Sequence, residues 1–165
     1  MNLHSSIIAF GADHAGFALK DRLLVAAAAL GLSARDLGTH TADSVDYPDY
    51  AQPVCRAVSR GEARFGVLVC GTGIGMSIAA NRFPGIRCAL IHDVTGARLS
   101  RAHNDANLIA FGARLIGEEV ALDALHAFLT TEYEGGRHGR RLAKLNISTP
   151  ACLGENAITS IGATG

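Results

Sequence analysis

Short apolar runs alternate with longer segments of helical spacing along almost the whole chain. The apolar runs indicate strands, because strands buried on both faces are nearly continuously hydrophobic. They predict strands at Ile7–Gly11, Leu32–Leu37, Phe65–Cys70, Ile86–Ile91 and Asn107–Phe111. The segments between and after them predict helices at Ala15–Leu30, up to Arg60, and at Gly75–Arg82, Val94–Ala102, Gly117–Thr131 and Arg137–Leu145.

Strict alternation of strands and helices predicts a parallel sheet with helices on both faces. The expected fold is therefore an α/β, Rossmann-like three-layer α/β/α sandwich with five parallel strands. In the first helix, Leu19, Leu23, Ala26 and Leu30 share the predicted buried face. In the second helix, Pro53 is expected in the first turn, because an interior proline removes a hydrogen bond and clashes. The polar segment Thr39–Tyr47 before that helix is expected to be a loop.

Composition narrows the class of protein. The chain has 165 residues, with Lys plus Arg and Asp plus Glu at 15 each, which gives no net charge to steer it toward nucleic acid or membrane. One domain is expected over residues 1–146, and the aperiodic segment 147–165 is expected to be irregular or disordered. No apolar run is long enough to span a bilayer. No secretory signal is recognisable, and the four cysteines form no CxxC pair, so reduced thiols in the cytoplasm are expected.

Polar and glycine-rich residues follow the predicted strands, where parallel sheets bind their ligands. Asp13 and His14 follow the first strand, Cys70–Gly75 the third, His92 and Asp93 the fourth, and Arg114 the fifth. Asp13 could also simply cap a helix. These turns are therefore expected to form a binding site at one edge of the sheet.

The segment Cys70-Gly-Thr-Gly-Ile-Gly75 carries the most chemistry. A strand, a glycine turn and a helix N-terminus bind anions through backbone N–H groups, and a thiol there is expected to have its pKa lowered. Met76 stands where a dinucleotide fingerprint needs glycine, and no Walker lysine follows. Two interpretations of Cys70 remain: a base or nucleophile, and a small buried core residue.

Two further groups offer polar chemistry. His103 could transfer protons near neutral pH, although a histidine between a helix and a strand is often a cap. Arg137 and Arg141 share one face of the last helix and could grip a phosphate. A solvated basic helix and a nucleic-acid patch are the alternatives. The cluster is small, has no interleaved aromatic residues and belongs to a neutral chain, which disfavours nucleic acid.

Together the motifs resemble the RpiB/LacA/LacB sugar-phosphate isomerase family over residues 7–146. They are Gly11-Ala-Asp13-His14-Ala-Gly16, Asp46-Tyr47-Pro48, Cys70-Gly-Thr-Gly-Ile-Gly75, Ala79-Ala-Asn81, Arg101-Ala-His103-Asn104-Asp105, Phe111-Gly-Ala-Arg114 and Tyr133-Glu-Gly-Gly-Arg137-His138, in this order. The resemblance implies an aldose–ketose isomerase that needs no metal or organic cofactor. It also implies a homodimer or a dimer of dimers with shared active sites, in which the C-terminal helix packs on a partner subunit.

The resemblance also implies roles for individual residues. The base is Cys70, because the glutamate that another branch uses is Met76 here, and His103 opens the sugar ring. The enediolate oxygen is expected to bind the backbone of Gly71, Thr72, Gly73, Ile74 and Gly75. Substrate contacts are implied for Asp13, Asn104, Arg114 and Tyr47, and phosphate contacts for His14, Arg137 and Arg141, with both arginines coming from the neighbouring subunit.

The expected reaction is therefore the interconversion of ribose 5-phosphate and ribulose 5-phosphate. Two alternatives stay open at this point: a galactose- or allose-6-phosphate isomerase of the same family, and a phosphate-binding module without catalysis. A non-catalytic module has no use for Cys70 or for His103.

Overall fold

A computed structural model of the chain describes residues 6–145. The expectations for the segment 147–165, with Cys152 in it, lie outside these residues. The strands are β1 (Ile7–Ala12), β2 (Ser33–Asp36), β3 (Phe65–Cys70), β4 (Cys88–Leu90) and β5 (Leu108–Gly112). The helices are α1 (Phe17–Ala29), α2 (Tyr47–Ser59), α3 (Ile74–Ala80), α4 (Val94–Asn104), α5 (Glu118–Thr130) and α6 (Arg137–Ala143).

The five strands form one parallel sheet in the order β2-β1-β3-β5-β4. The chain winds outward from β1 to β2 and then returns to place β3 on the other side of β1. In such a sheet the crevice between β1 and β3 is the favoured place for a ligand. All six residues of β3 are buried, as expected for a central strand covered on both faces.

Two hydrophobic clusters fill the spaces on either side of the sheet. One cluster holds side chains of α1, α4 and α5, such as Leu23, Ala97 and Phe128. The other holds side chains of α2 and α3, such as Val54 and Met76. The three-layer α/β/α sandwich predicted from the alternation of elements is thereby confirmed.

The prediction for Pro53 was wrong, because α2 begins at Tyr47, with Pro48 in its first turn, and leaves Pro53 inside the helix. The interior proline cannot donate a backbone hydrogen bond. The helix continues because Ala51 and Val54, on either side of the proline, are fully buried against the sheet. The loop expected to end at Tyr47 therefore ends one residue earlier.

The buried face of α1 also differs from the prediction. Leu30 is 41% exposed, whereas Lys20 is fully buried. The Lys20 ammonium is bonded to the Asp36 carboxylate at the end of β2 and donates to the carbonyl oxygen of Thr39. A buried lysine is stable only when its charge is paired and its N–H groups are hydrogen-bonded. The spacing of apolar residues along a helix cannot reveal such a partner.

Helix α6 packs against α4 of its own chain. Packing of this helix on a partner subunit stays a prediction. Within residues 6–145, no helix combines the length and the apolar character that a membrane span needs.

Candidate active site

Cys70 lies at the carboxyl end of β3, at the mouth of the glycine loop. Its side chain is almost fully buried, and its Sγ accepts a hydrogen bond from the Gly73 N–H at 3.1 Å. Gly73 makes this turn possible, since its φ of +75° is one that residues with a side chain rarely adopt. A Cβ at Gly73 would also lie 2.5 Å from the Leu90 side chain. The loop therefore holds the sulfur in a fixed position.

Two backbone N–H groups of the loop donate hydrogen bonds within the loop itself. Besides Gly73, the N–H of Ile74 donates to Thr72 Oγ1 at 3.3 Å. The N–H groups of Gly73 and Ile74 therefore already have acceptors within the loop. Thr72 itself is exposed at the rim of the loop.

Arg114 lies directly beside the glycine loop. The Ala113 N–H donates to the Cys70 carbonyl at 2.9 Å, and the Arg114 N–H donates to that of Gly71 at 3.0 Å, which joins the ends of β3 and β5. The guanidinium lies so close to Gly71 that a Cβ there would be 3.2 Å from Nη1. The structure thus brings a cation to the backbone of the glycine loop at Gly71. Substrate binding by Arg114 stays a prediction.

Asp13 and His14 follow β1, the strand next to β3. Asp13 Oδ1 accepts hydrogen bonds from the N–H groups of Ala15 and Gly16, at 3.0 and 3.1 Å. The helix itself starts at Phe17, so Asp13 closes the turn that precedes it. His14 Nδ1 accepts from the Val45 N–H at 3.2 Å, so a neutral His14 carries its proton on Nε2. Nε2 is then a donor for a phosphate or hydroxyl oxygen.

Tyr47 completes this side of the site. A Cβ at Gly75 would lie 2.7 Å from the Tyr47 ring, so the glycine gives the ring room to lie on the loop. Met76, in contrast, is fully buried in the core with α2. Position 76 therefore contributes packing in this chain and offers no titratable group to the loop.

A second group of predicted residues lies where α4 ends. Asp105 caps this helix with a φ of +44°. Its carboxylate accepts from Arg87 at 2.7 Å and from Arg101 at 2.8 Å, and Arg87 Nε donates to the Asn104 and Asp105 carbonyls. The two arginines thereby fix the turn that carries His103 and Asn104.

Replacing Asp105 with asparagine is expected to destabilise the protein by about 1–3 kcal/mol, because Arg101 is almost fully buried and would lose its countercharge. Urea unfolding measures this change. Glu118→Gln is the matched control: its partner Arg22 is exposed, so the change should cost less than about 1 kcal/mol. Equal losses in both variants would contradict this role of Asp105.

The imidazole of His103 lies in a stack with a second histidine. The rings of His103 and His138 are 4.3 Å apart and almost parallel. Glu134 Oε2 is 3.7 Å from His103 Nε2 and 3.8 Å from His138 Nε2. Burial, together with the nearby His103, Arg137 and Arg141, lowers the pKa of His138.

Arg141 lines a cavity of about 260 Å³ with the two histidines and Asn104. Arg137 stands at the start of α6, close enough to lower the pKa of His138. The expectation that one helix carries both arginines is confirmed. Arg141 lies beside His103 and Asn104 of its own chain.

The predicted site residues therefore form two groups, one at the carboxyl ends of the parallel strands and one at their amino ends. The group around Cys70 lies at the carboxyl ends of the strands, where Cys70 pairs with Gly112. His103 and Asn104 precede β5, whose first residue, Leu108, pairs with Gly66. Four strand steps of about 3.3 Å put roughly 13 Å between the two edges. One chain alone does not bring Cys70 and His103 together.

Sequence reasoning assigned no role to Glu134 and His138. Their contact with His103 depends on how α6 folds back onto α4, which hydrophobic spacing does not specify. One signal was available: Glu134 and His138 are four residues apart, in the segment that leads into the last helix and also supplies Arg137 and Arg141.

The fold and the two polar groups are typical of an enzyme that handles an anionic substrate at the edge of a parallel sheet. Comparison with known proteins defines the class further. The Ribose/Galactose Isomerase family model matches residues 8–145, so the chain belongs to this family and is an aldose–ketose isomerase.

Individual relatives agree with this assignment. The chain is 47% identical over 135 residues to ribose-5-phosphate isomerase B of Escherichia coli, covering 82% of this chain and 91% of the relative. It is 40% identical over 139 residues to D-erythrulose-4-phosphate isomerase of Pectobacterium atrosepticum, covering 84% and 91%. The crystal structure of a ribose 5-phosphate isomerase from Thermotoga maritima matches with a TM-score of 0.83 and 48% identity, covering 85% of this chain and 97% of that one.

Proposed function

We propose that this protein interconverts D-ribose 5-phosphate and D-ribulose 5-phosphate through an enediolate. The observation that carries the proposal is the Cys70 sulfur, held by the Gly73 N–H at the mouth of the glycine loop with Arg114 alongside. Such a site offers a base and oxyanion donors at one point. The relatives in Escherichia coli and Thermotoga maritima support ribose 5-phosphate as the substrate.

Isomerisation begins with opening of the furanose ring. His103 donates a proton to the ring oxygen as the C1–O bond to that oxygen breaks, a water molecule takes the proton of the anomeric hydroxyl, and the C1 aldehyde forms. A histidine suits this step because its ordinary pKa lies near neutral pH. Asn104, next to His103 in a turn fixed by Arg87, is proposed to hold a substrate hydroxyl.

Proton transfer between C1 and C2 then falls to Cys70. The thiolate removes the proton from C2, and the electron pair moves to the C1 carbonyl oxygen, giving the enediolate. The N–H groups of Gly71, Thr72 and Gly75 stabilise the new charge, a contribution of about 3–4 kcal/mol for each well-placed donor. The C2 hydroxyl then passes its proton to the oxygen on C1, the C2–O bond becomes the carbonyl of the ketose, and Cys70 returns its proton to C1.

The phosphate is proposed to bind His14 Nε2, Arg137 and Arg141, with Asp13, Tyr47 and Arg114 lining the sugar. Arginine holds phosphate oxygens in a bidentate geometry, and this remote binding positions the reacting carbons. No metal or organic cofactor takes part in these steps.

We propose further that each active site is shared between two copies of the chain. A general acid or base must be within hydrogen-bond reach of its proton, directly or through one water. Cys70 and His103 of one chain lie at opposite edges of the sheet, so they cannot both reach one small sugar. In the proposed homodimer, the amino ends of the strands of one copy face the carboxyl ends of the strands of the other. His103 of one copy then lies near Cys70 of its partner. The family resemblance already implies that Arg137 and Arg141 come from the neighbouring subunit. In the proposed dimer that subunit also supplies His103 and Asn104.

The substrate is tested by comparing kcat/KM for ribose 5-phosphate with that for galactose 6-phosphate, allose 6-phosphate and D-erythrulose 4-phosphate. We expect ribose 5-phosphate to be preferred by at least about tenfold, which is what one carbon unit commonly contributes to selectivity. Preference for a six- or four-carbon substrate would contradict the choice of sugar. Sugar phosphate binding in calorimetry without any turnover would support the non-catalytic alternative.

A further inference from the structure

Two side chains outside the predicted site lie against the imidazole of His103. The His138 ring is stacked on the His103 ring, with 4.3 Å between the ring centres and 6° between their planes. Glu134 Oε2 lies 3.7 Å from His103 Nε2 and 3.8 Å from His138 Nε2, so the carboxylate faces the same nitrogen of both rings. Neither the ring opening nor the proton transfer proposed for this enzyme uses Glu134 or His138.

His138 forms a fixed surface for the His103 ring. Its side chain is almost completely buried, and its backbone N–H donates to the Gly135 carbonyl at 3.1 Å. The Glu134 N–H donates to the Ala102 carbonyl at 3.0 Å, which ties the segment before α6 to the end of α4, next to His103. Because the parallel contact is lost when either ring turns, the buried ring of His138 restricts the rotation of the ring that it covers.

Glu134 acts on the nitrogen that its carboxylate faces. At 3.7 Å from His103 Nε2 the carboxylate is too distant for a hydrogen bond. Its negative charge still attracts a proton on that nitrogen, which favours one orientation of the ring. The Glu134 side chain is 57% exposed, so water screens the attraction. Glu134 should therefore contribute less than the stacked ring.

Ring opening depends on where the nitrogens of His103 point. A general acid transfers its proton only within hydrogen-bond reach of the acceptor oxygen. His103 stands in the last turn of α4 with 34% of its side chain exposed, so a stacked neighbour can decide the orientation of its ring. We propose that His138 and Glu134 are positioning residues that hold the His103 imidazole in the orientation that opens the sugar ring. The inference rests on the proposed role of His103.

A positioning role predicts that only one of the two chemical steps is affected. Ribose 5-phosphate closes its ring through the C4 hydroxyl, so its conversion requires ring opening. Ribulose 5-phosphate stays open, because the C5 oxygen that could close its ring carries the phosphate. Exchange of a C1 proton of ribulose 5-phosphate with solvent therefore depends on Cys70 and involves no ring.

The stacked ring is tested with His138→Ala. We expect kcat for ribose 5-phosphate to fall at least about tenfold, which is part of the 10²–10⁴-fold that a general acid contributes. Exchange of the C1 proton of ribulose 5-phosphate in deuterated water, followed by NMR, should stay within about twofold of the wild-type rate. His138→Phe keeps a flat ring in the stack and should restore most of kcat. His126→Ala removes an exposed histidine on α5 and is the matched control, with both rates unchanged.

Glu134→Gln tests the carboxylate and should fold even if His138→Ala does not, since Glu134 is exposed. We expect kcat for ribose 5-phosphate to fall about two- to fivefold, as a screened charge allows, with the exchange rate unchanged. Glu132→Gln changes an exposed carboxylate two positions earlier and should leave both rates at the wild-type value.

The His103→Asn variant shows whether the effect passes through His103. Adding His138→Ala to it should cause no further loss of kcat, because residues that act as a unit are not additive. Equal losses of conversion and proton exchange, full additivity with His103→Asn, or a His138→Phe enzyme as slow as His138→Ala would overturn the inference.

Two outcomes separate this inference from the proposed function. If His103→Asn is slow while His138→Ala and Glu134→Gln convert ribose 5-phosphate at the full rate, the inference is wrong and the role of His103 stands. Full rate in His103→Asn would instead overturn the proposed ring opening by His103, on which the inference depends.

Discussion

Replacing Cys70 with alanine is expected to lower kcat for ribose 5-phosphate by about 10³-fold, the usual contribution of a positioned general base. KM should change little, because the sulfur acts on a carbon-bound proton, whereas the phosphate and the hydroxyls are bound by other residues. Steady-state kinetics measure both constants. Exchange of the C2 proton with deuterated solvent provides a second measurement and should be lost in the same variant.

Cys55→Ala is the matched control for this substitution. Cys55 is fully buried in α2, and burial raises the pKa of its thiol to about 12, so it remains protonated and inert. We expect this variant to keep the wild-type kcat and to lose only some stability. A Cys70→Ala enzyme that retained full rate and solvent exchange would show that the base is another group.

The fold could be predicted from the sequence because its largest signals are local. The apolar run Phe65–Cys70 is as buried as its composition indicates, and the alternation of elements specifies the parallel sheet. Errors arose where a tertiary contact outweighs a local preference. Pro53 stays in a helix because its neighbours are buried, and Lys20 enters the core because Asp36 lies across from it.

The candidate site was predictable to the extent that it follows strand ends. Asp13, His14, Cys70 and Arg114 all lie where parallel strands finish, and the structure brings them to one edge. His103 was grouped with them by resemblance alone. Its place in the sequence, after a helix and before a strand, already indicates the opposite edge, because a crossover helix runs antiparallel to the strands it joins.

The separation of Cys70 from His103 leads to a test by complementation. We expect Cys70→Ala and His103→Asn each to convert ribose 5-phosphate slowly as homodimers, and a refolded equal mixture to regain activity. In a mixed dimer one shared site carries both substitutions, and the other carries neither. Half of the randomly formed dimers are mixed, so about a quarter of the wild-type activity should return.

The control is a mixture in which both substitutions are on the same chain and the partner is wild type. A mixed dimer of this kind has one substitution in each of its shared sites, so only the wild-type homodimers contribute, and again about a quarter of the activity should remain. If each chain had a complete site of its own, this mixture would keep about half of the activity, and the first mixture would gain none. A shared site thus predicts about a quarter of the activity in both mixtures. A site within one chain predicts none in the first mixture and about half in the second. A result of no gain and half activity would show that a single chain holds the whole site and that the roles given to Cys70 and His103 cannot both be right.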